Sequence, residues 1–355
     1  MSVTMREVAE RAGVSKATVS YVLNGREASM RIPTETRDRI LTAVRELGYH
    51  PNGLARSLAH KRTHTVAVVM QFPDLFSGWS GFTNELMHGV TDAAIEQGVD
   101  VMLHTRNPEG RWHHGEGGLL EAEVANLTDG RVDGALLLRD LDDPLTVALC
   151  RRRFPTVLMF SHAADPEQWF IDCDNLAGAR LATEHLLSLG HTRIAHLAGP
   201  LLSGSGSERR EGYRQALKNA GLCVRPDWIV EVTHPGADFT AAMRLFQARP
   251  AERPTAIFAW SDDVAMQAMR VLRAEGVDVA RDVAMVGFDS TALCDHTDPP
   301  LTSVRQPIYA MAAQALTLLC QRLRKETPDQ TQFRIAPSLV VRQSCRAMPK
   351  HMTAP

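Results

Sequence analysis

Apolar residues along this chain recur in two different rhythms. Up to residue 50 they fall three and four apart: Val8 and Ala9, then Val19, Val22 and Leu23, then Ile40, Leu41, Val44 and Leu47. That spacing marks one face of an α-helix, so three short helices are predicted. Thr4 with Glu7 three residues later makes a capping box for the first, and Gly13 stops it. Ser15 caps the second, and the third runs through "TETRDRILTAVRELGY" to close at Gly48. With "AGVS" in the turn, this is the helix-turn-helix pattern. Beyond Arg62 the rhythm becomes short aliphatic runs separated by helical stretches. Strands are predicted in "TVAVVMQF", "VDVMLHT", "VDGALLLR", "TVLMF", "RIAHLAG", "WIVEV", "TAIFAWS" and "VAMVGFD". Helices are predicted in "FTNELMHGVTDAAIEQG", "NLAGARLATEHLLSLG", "ERREGYRQALKNAG" and "DDVAMQAMRVLRAEG". Strands alternating with helices imply parallel sheets of right-handed βαβ units. About ten strands suit two such sheets better than one.

Charge divides the chain at the same place. The net charge of -2 conceals a head, residues 1–62, with 11 Lys+Arg against 6 Asp+Glu, and a body with 28 against 35. A basic head on an acidic body points to a polyanion partner for the head alone. At 355 residues two or three domains are expected. No run of eighteen apolar residues and no secretory signal is present, so a cytoplasmic protein without a membrane partner is expected. Six scattered cysteines with no CxxC pair read as reduced thiols.

Chemistry follows from position. The second helix would enter a major groove, with Lys16 and Ala17 at base edges and Tyr21 one turn on. Ser15, Thr18, Ser20 and Asn24 suit phosphate contacts, which fix register without reading sequence. Between head and body lies "PNGLARSLAHKR", residues 51–62: about two helical turns with Leu54, Ala55 and Leu58 on one side. A helix that short is marginal alone in water.

The run "MREVAERAGVSKATVSYVLNG", with "TRDRILTAVRELGYHPNGLARSLAHKRTHTVAVV", resembles the lactose/galactose-repressor family of bacterial transcription regulators. In the body, "CDNLAGARLATEHLLSLGHTRIAHLAGP", "RREGYRQAL", "RPTAIFAWSDDVAMQAMRVL", "VAMVGFDS" and "PPLTSVRQP" extend the resemblance over nearly the whole chain. The resemblance implies an all-α helix-turn-helix head, a hinge helix, and an α/β core like a periplasmic binding protein. That core has two subdomains with mostly parallel sheets and three chain crossovers. The boundaries are then 1–50 for the head, 51–62 for the hinge, 63–347 for the effector-binding and dimerisation core, and 348–355 for a tail. The hinge helix would order when two copies pair on operator DNA, with Leu58 wedged between base pairs and Ala55 beside it. The full DNA-contact set is Thr4, Ser15, Lys16, Ala17, Thr18, Ser20, Tyr21, Asn24, Asn52, Ala55, Arg56 and Leu58.

The resemblance also places a small-molecule effector in the cleft between subdomains. Arg209, before the "GY" of a helix, and Asp289, ending "VAMVGFD", would hydrogen-bond it. Ser261 stands where many sugar-responsive members have asparagine, and His234 where some place a stacking aromatic. Phe76 and Trp79 would line the cleft mouth. Trp112, Trp169 and Trp260 read as packing. Arg209 and Asp289 could instead pair structurally across the cleft. Two features depart from the family: Tyr21 stands where many members carry a guanine-reading arginine, and the loop "GREASMRI" is longer, with Pro33 before the third helix.

No enzyme is expected. "SGSGSE" lacks the third glycine of a dinucleotide fingerprint, and no GxSxG, HExxH or Walker pattern occurs. "WHHGE" has no metal-ligand spacing around it, and "DLDD" and "SDD" read as acids at helix starts. No metal or cofactor is expected. The expected partners are operator DNA, an effector and a second copy of the chain, without a coiled-coil tetramerisation tail. Aromatic and hydroxyl-binding candidates favour a sugar effector; a purine or other metabolite, or a sugar-binding protein without a regulatory role, are the alternatives.

Overall fold

The structure is a computed structural model. It describes residues 3–25, 28–50, 62–70, 80–104, 117–140, 142–163, 165–200, 203–234, 236–249 and 251–346. Asn52, Ala55, Arg56, Leu58, Phe76, Trp79, Trp112 and the histidine pair of "WHHGE" lie outside the described residues. The chain forms two compact units, Met1–His64 and Thr65–Pro355.

The first unit is the helical head. Helices α1 (Met5–Ala12), α2 (Lys16–Leu23) and α3 (Thr34–Leu47) enclose Val8, Val19, Val22 and Ile40. The capping box is present: Glu7 N–H donates to Thr4 Oγ1, and Thr4 N–H donates to Glu7 Oε2 at 2.6 Å. Gly13 takes the left-handed conformation, φ 64°, that ends α1. Ala43 and Tyr49 join this core, while Leu41, Val44 and Leu47 are only half-buried against it.

The second unit contains two six-stranded sheets. The first comprises β1 (Thr65–Met70), β2 (Asp100–His104), β3 (Gly134–Leu138), β4 (Thr156–Met159), β5 (Phe170–Cys173) and β11 (Gln332–Ile335). Its order is β11-β5-β4-β3-β1-β2, all parallel. The second comprises β6 (Ile194–Ala198), β7 (Ile229–Glu231), β8 (Ala256–Ala259), β9 (Ala284–Asp289), β10 (Thr302–Arg305) and β12 (Ser338–Val340). Its order is β12-β10-β9-β8-β6-β7, with only β12 antiparallel. The eight predicted strands are all present. Strands β5, β10, β11 and β12 were not predicted; each is a short segment that mixes polar with apolar residues instead of forming an aliphatic run.

The helices are α4 (Gly81–Gln97), α5 (Gly117–Thr128), α6 (Pro144–Arg151), α7 (Asn175–Ser188), α8 (Gly204–Asn219), α9 (Thr240–Gln247), α10 (Asp262–Ala274) and α11 (Ile308–Arg324). The chain crosses between sheets three times: from β5 to α7, from β10 to α11, and from β11 to β12. Each crossover helix packs on the sheet it enters and against that sheet's first βα helix, α11 on α4 and α7 on α8. A glycine makes each pairing close. A methyl on Gly89 would collide with the Tyr309 carbonyl, and one on Gly212 with the Leu176 carbonyl. Among the described residues no helix is long and apolar enough to cross a membrane. All six cysteines are free.

Inside the second subdomain, His196 on β6 stacks on Phe258 at 4.6 Å and on Tyr213 at 5.1 Å. Its Nδ1–H donates to the Phe258 carbonyl at 2.9 Å, and its Nε2 is buried without a partner among the described residues. A second proton would have nothing to meet, so burial pushes the pKa down to about 3. The folded value lies below the unfolded one, so this stability is complete above pH 6.5 and drains as pH falls towards 3. The full cost is on the order of 5 kcal/mol. Half-buried His185 and buried His191, both lowered by desolvation, act in the same direction. Thermal melting followed by circular dichroism should therefore show a midpoint falling from pH 6.5 to pH 4, and His196→Gln should flatten that slope.

Candidate functional site

The two sheets repeat one strand order, in which the first strand lies between the second and third. That order creates a switch point at the carboxyl ends of β1/β3 and of β6/β8, where open α/β sheets bind ligands. Residues at this end of the second sheet converge on Arg209.

Arg209 sits in the second turn of α8 and is only 5% exposed. Its Nε–H donates to Asn175 Oδ1 at 2.9 Å, and its Nη1 donates to the Trp260 carbonyl just past β8. The guanidinium carbon lies over the Phe288 ring, 3.6 Å from the centroid, with the Trp260 ring at 5.8 Å. Burial lowers its pKa, and the nearby Asp289 carboxylate opposes that shift. The two do not bond to each other, so the structural ion pair considered from sequence is not formed.

Asp289 is the last residue of β9 and is buried. Its φ of 120°, followed by Ser290 at 53°, places two non-glycine residues in the left-handed half of conformational space. Asp262 holds this turn. Its carboxylate accepts from Thr291 N–H at 3.0 Å and from the Ser303 hydroxyl at 2.5 Å, while Ser290 N–H donates to Ser303 Oγ. Burial raises the Asp262 pKa to about 6 against these donors. The "SDD" acids are therefore more than dipole caps: Asp262 shapes the turn that carries Asp289. Asp289 Oδ1 accepts from Gln306 Nε2 at 2.5 Å, and burial pushes its carboxyl well above the ordinary range, with Arg209 opposing.

The other sequence candidates are placed as follows. Ser261 is the N-cap of α10, its hydroxyl accepting from Val264 N–H at 3.3 Å. His234 is exposed, and its Nδ1 accepts from Gly236 N–H at 3.1 Å; no contact links it to Arg209 or Asp289. Trp260 donates its indole N–H to the Val232 carbonyl and packs where Gly199 leaves room. Trp169 lies beneath the Arg322 guanidinium. Asn175, Gln306 and Asp262 were not singled out from sequence. The signal lay in the quoted "CDN", "VRQ" and "SDD", but their roles rest on contacts 34, 17 and 29 residues away.

In the head, Lys16 and Ala17 are exposed at the start of α2, and Tyr21 is half-buried. Ser15 Oγ caps α2 through Thr18 N–H and pairs with Thr18 Oγ1 at 2.8 Å. Asn24 Nδ2 donates to the Ser20 carbonyl at 2.7 Å. Thr4 is exposed beside Glu7.

Two family profiles match the chain: "Bacterial regulatory proteins, lacI family" over residues 4–52, and "Periplasmic binding protein-like domain" over residues 183–345. The HTH-type transcriptional regulator CelR of Thermobifida fusca is 38% identical over 349 residues, covering 96% of this chain and 98% of the relative. This chain belongs to the lacI family. The family member is a DNA-binding transcriptional regulator and not an enzyme. Among solved structures, a transcriptional regulator CelR–cellobiose complex matches with TM-score 0.70 and 35% identity, covering 96% of this chain and 99% of the other. A lac repressor dimer bound to operator and the anti-inducer ONPF matches with TM-score 0.81 and 27% identity, covering 98% and 100%.

The platform under Arg209 is tight. A methyl on Gly178 would lie 2.6 Å from the Phe288 ring that carries the guanidinium. Gly178→Ala should therefore destabilise the core by about 1–3 kcal/mol through overpacking, read as a lower melting temperature.

Proposed function

We propose that this lacI-family regulator is a repressor that acts as a homodimer on a near-palindromic operator. A small sugar bound between its subdomains, at Arg209 and Asp289, releases it. The observation that carries this reading is an unfilled hydrogen-bonding capacity. Among the described residues, neither Arg209 Nη2 nor Asp289 Oδ2 has a hydrogen-bond partner, although both side chains are buried. Neither atom is sealed from solvent, so on this otherwise buried pair both stay open to a ligand. A fork donor beside a carboxyl group matches the vicinal hydroxyls of a sugar, and the neighbouring Trp260 ring offers a face for its apolar side. The complex of the CelR relative with cellobiose supports a sugar over a purine.

The head reads DNA through the exposed start of α2, Lys16 foremost. Tyr21 cannot form the bidentate fork that guanine invites, so the operator differs from those read by arginine there. Residues 51–62 act as the hinge. They coil only when two copies meet on DNA, with Leu58 as the wedge, and rotation of one subdomain against the other separates them. A coupling of a few kcal/mol suffices to empty an operator.

The test is an electrophoretic mobility shift with operators selected from a random duplex pool, run with and without a panel of neutral sugars and purines. Arg209→Met should leave operator binding intact and weaken the effector about 10- to 100-fold, the worth of a charge-assisted hydrogen bond. A retained response removes Arg209 from the site. Leu58→Ala should weaken operator binding by roughly tenfold or more, about 1.4 kcal/mol, with effector affinity unchanged.

A further inference from the structure

A closed ring of contacts spans the first crossover. Arg209 donates to Asn175, and Asn175 Nδ2 donates to Asp172 Oδ1 at 3.3 Å. Asp172 Oδ2 lies 2.8 Å from His162 Nδ1. The opposite edge of that imidazole, Nε2, lies 3.6 Å from Glu208 Oε1. Glu208 directly precedes Arg209 on α8, so the backbone closes the ring. His162 and Asp172 belong to the first subdomain, Glu208 and Arg209 to the second, and Asn175 is the first residue past the crossover.

We infer that His162 is a positioning residue for Arg209, its protonation setting how firmly the ring holds that guanidinium and joins the two subdomains. The inference rests on the reading of Arg209 as an effector contact. Imidazole is the member of this ring whose ordinary pKa lies near neutrality. A neutral ring that donates from Nδ1 to Asp172 turns a bare Nε2 lone pair towards the Glu208 carboxylate. Once protonated, it donates from both nitrogens and draws Glu208 towards the first subdomain.

The groups facing His162 from each packed element are few. Asp172 and the Phe170 ring, at 6.2 Å, come from β5, and Glu208 comes from α8. Arg334 on β11 shares Glu208 and lies 4.0 Å from Asp174. The Asp172 hydrogen bond is the main cause that holds the His162 pKa above its ordinary value; burial and Arg334 oppose it, and Glu208 adds to it. Because the folded pKa is raised, the tight ring is present at lower pH and is lost as pH rises through that value.

The test is NMR of the full chain, following the His162 imidazole across pH and assigning it by its loss in His162→Gln. Glu208→Gln should move the titration midpoint down. Asn175→Ala has no hydrogen bond to His162 but should move the midpoint up, because Asp172 loses a donor and becomes the stronger acceptor. If Asn175→Ala does not fold, Glu208→Gln alone decides, and a midpoint identical to the wild type overturns the inference. So does stoichiometric Zn²⁺ that abolishes the titration, since ligand atoms of His162, Asp172 and Glu208 lie within 4.8 Å of one another and would then be a cation site. With cellobiose as probe, affinity should fall between pH 6 and pH 8.5 in the wild type and stay flat in His162→Gln; an equal fall in both overturns the inference. Absence of cellobiose binding at every pH counts against the sugar reading instead, and the NMR midpoints still decide the ring.

Discussion

A buried guanidinium organises this core. Arg209 cannot shed its proton and is almost fully removed from water, so the fold must provide acceptors and a polarisable surface for it. Asn175 supplies an acceptor from the start of α7, the Trp260 carbonyl supplies one from the end of β8, and the Phe288 ring of β9 lies beneath the charge. These groups are far apart in sequence and meet only when the second sheet is complete and the first crossover is made. The most polar point of the subdomain is thus also the point where its elements must agree.

The same dependence runs through the architecture. Two sheets share one strand order, yet neither subdomain is built from a continuous length of chain. Helix α11 returns to cover the first sheet, and α7 is the chain's first step onto the second. Gly89 and Gly212 let each returning helix lie against its partner's backbone at a distance no side chain would permit. A displacement between subdomains is therefore felt first at the crossovers, where Asn175 grips Arg209 and Gln306 grips Asp289.

How much of this was legible in the sequence depends on the range of each interaction. The capping box at Thr4, the stop at Gly13 and the inward Val19 and Val22 are local, and the head follows from them. The eight aliphatic strands announce themselves by composition, whereas β5 and β10–β12 borrow their structure from neighbours. Arg209 and Asp289 were found because their motifs resemble a family, not because spacing demands a site. Asp262 shows the limit: an acid at a helix start is indistinguishable in sequence from an ordinary dipole cap. Its burial and its hold on Thr291 and Ser303 exist only in three dimensions.

On the proposed reading, the site's unfilled capacity would let a small ligand act on a large body. Asp289 is held with φ at 120°, a conformation that persists only because Asp262, Ser303 and Gln306 over-determine it. Arg209 is held by Asn175 and the Trp260 carbonyl, yet among the described residues each keeps one polar atom without a protein partner. A ligand that satisfies both atoms would, on that reading, form hydrogen bonds to groups already oriented, without the cost of ordering them. It would gain them fully only in a subdomain orientation that encloses it. Differential affinity for that orientation is what shifts a two-state equilibrium, and rigid anchors turn binding energy into such a difference more completely than flexible ones.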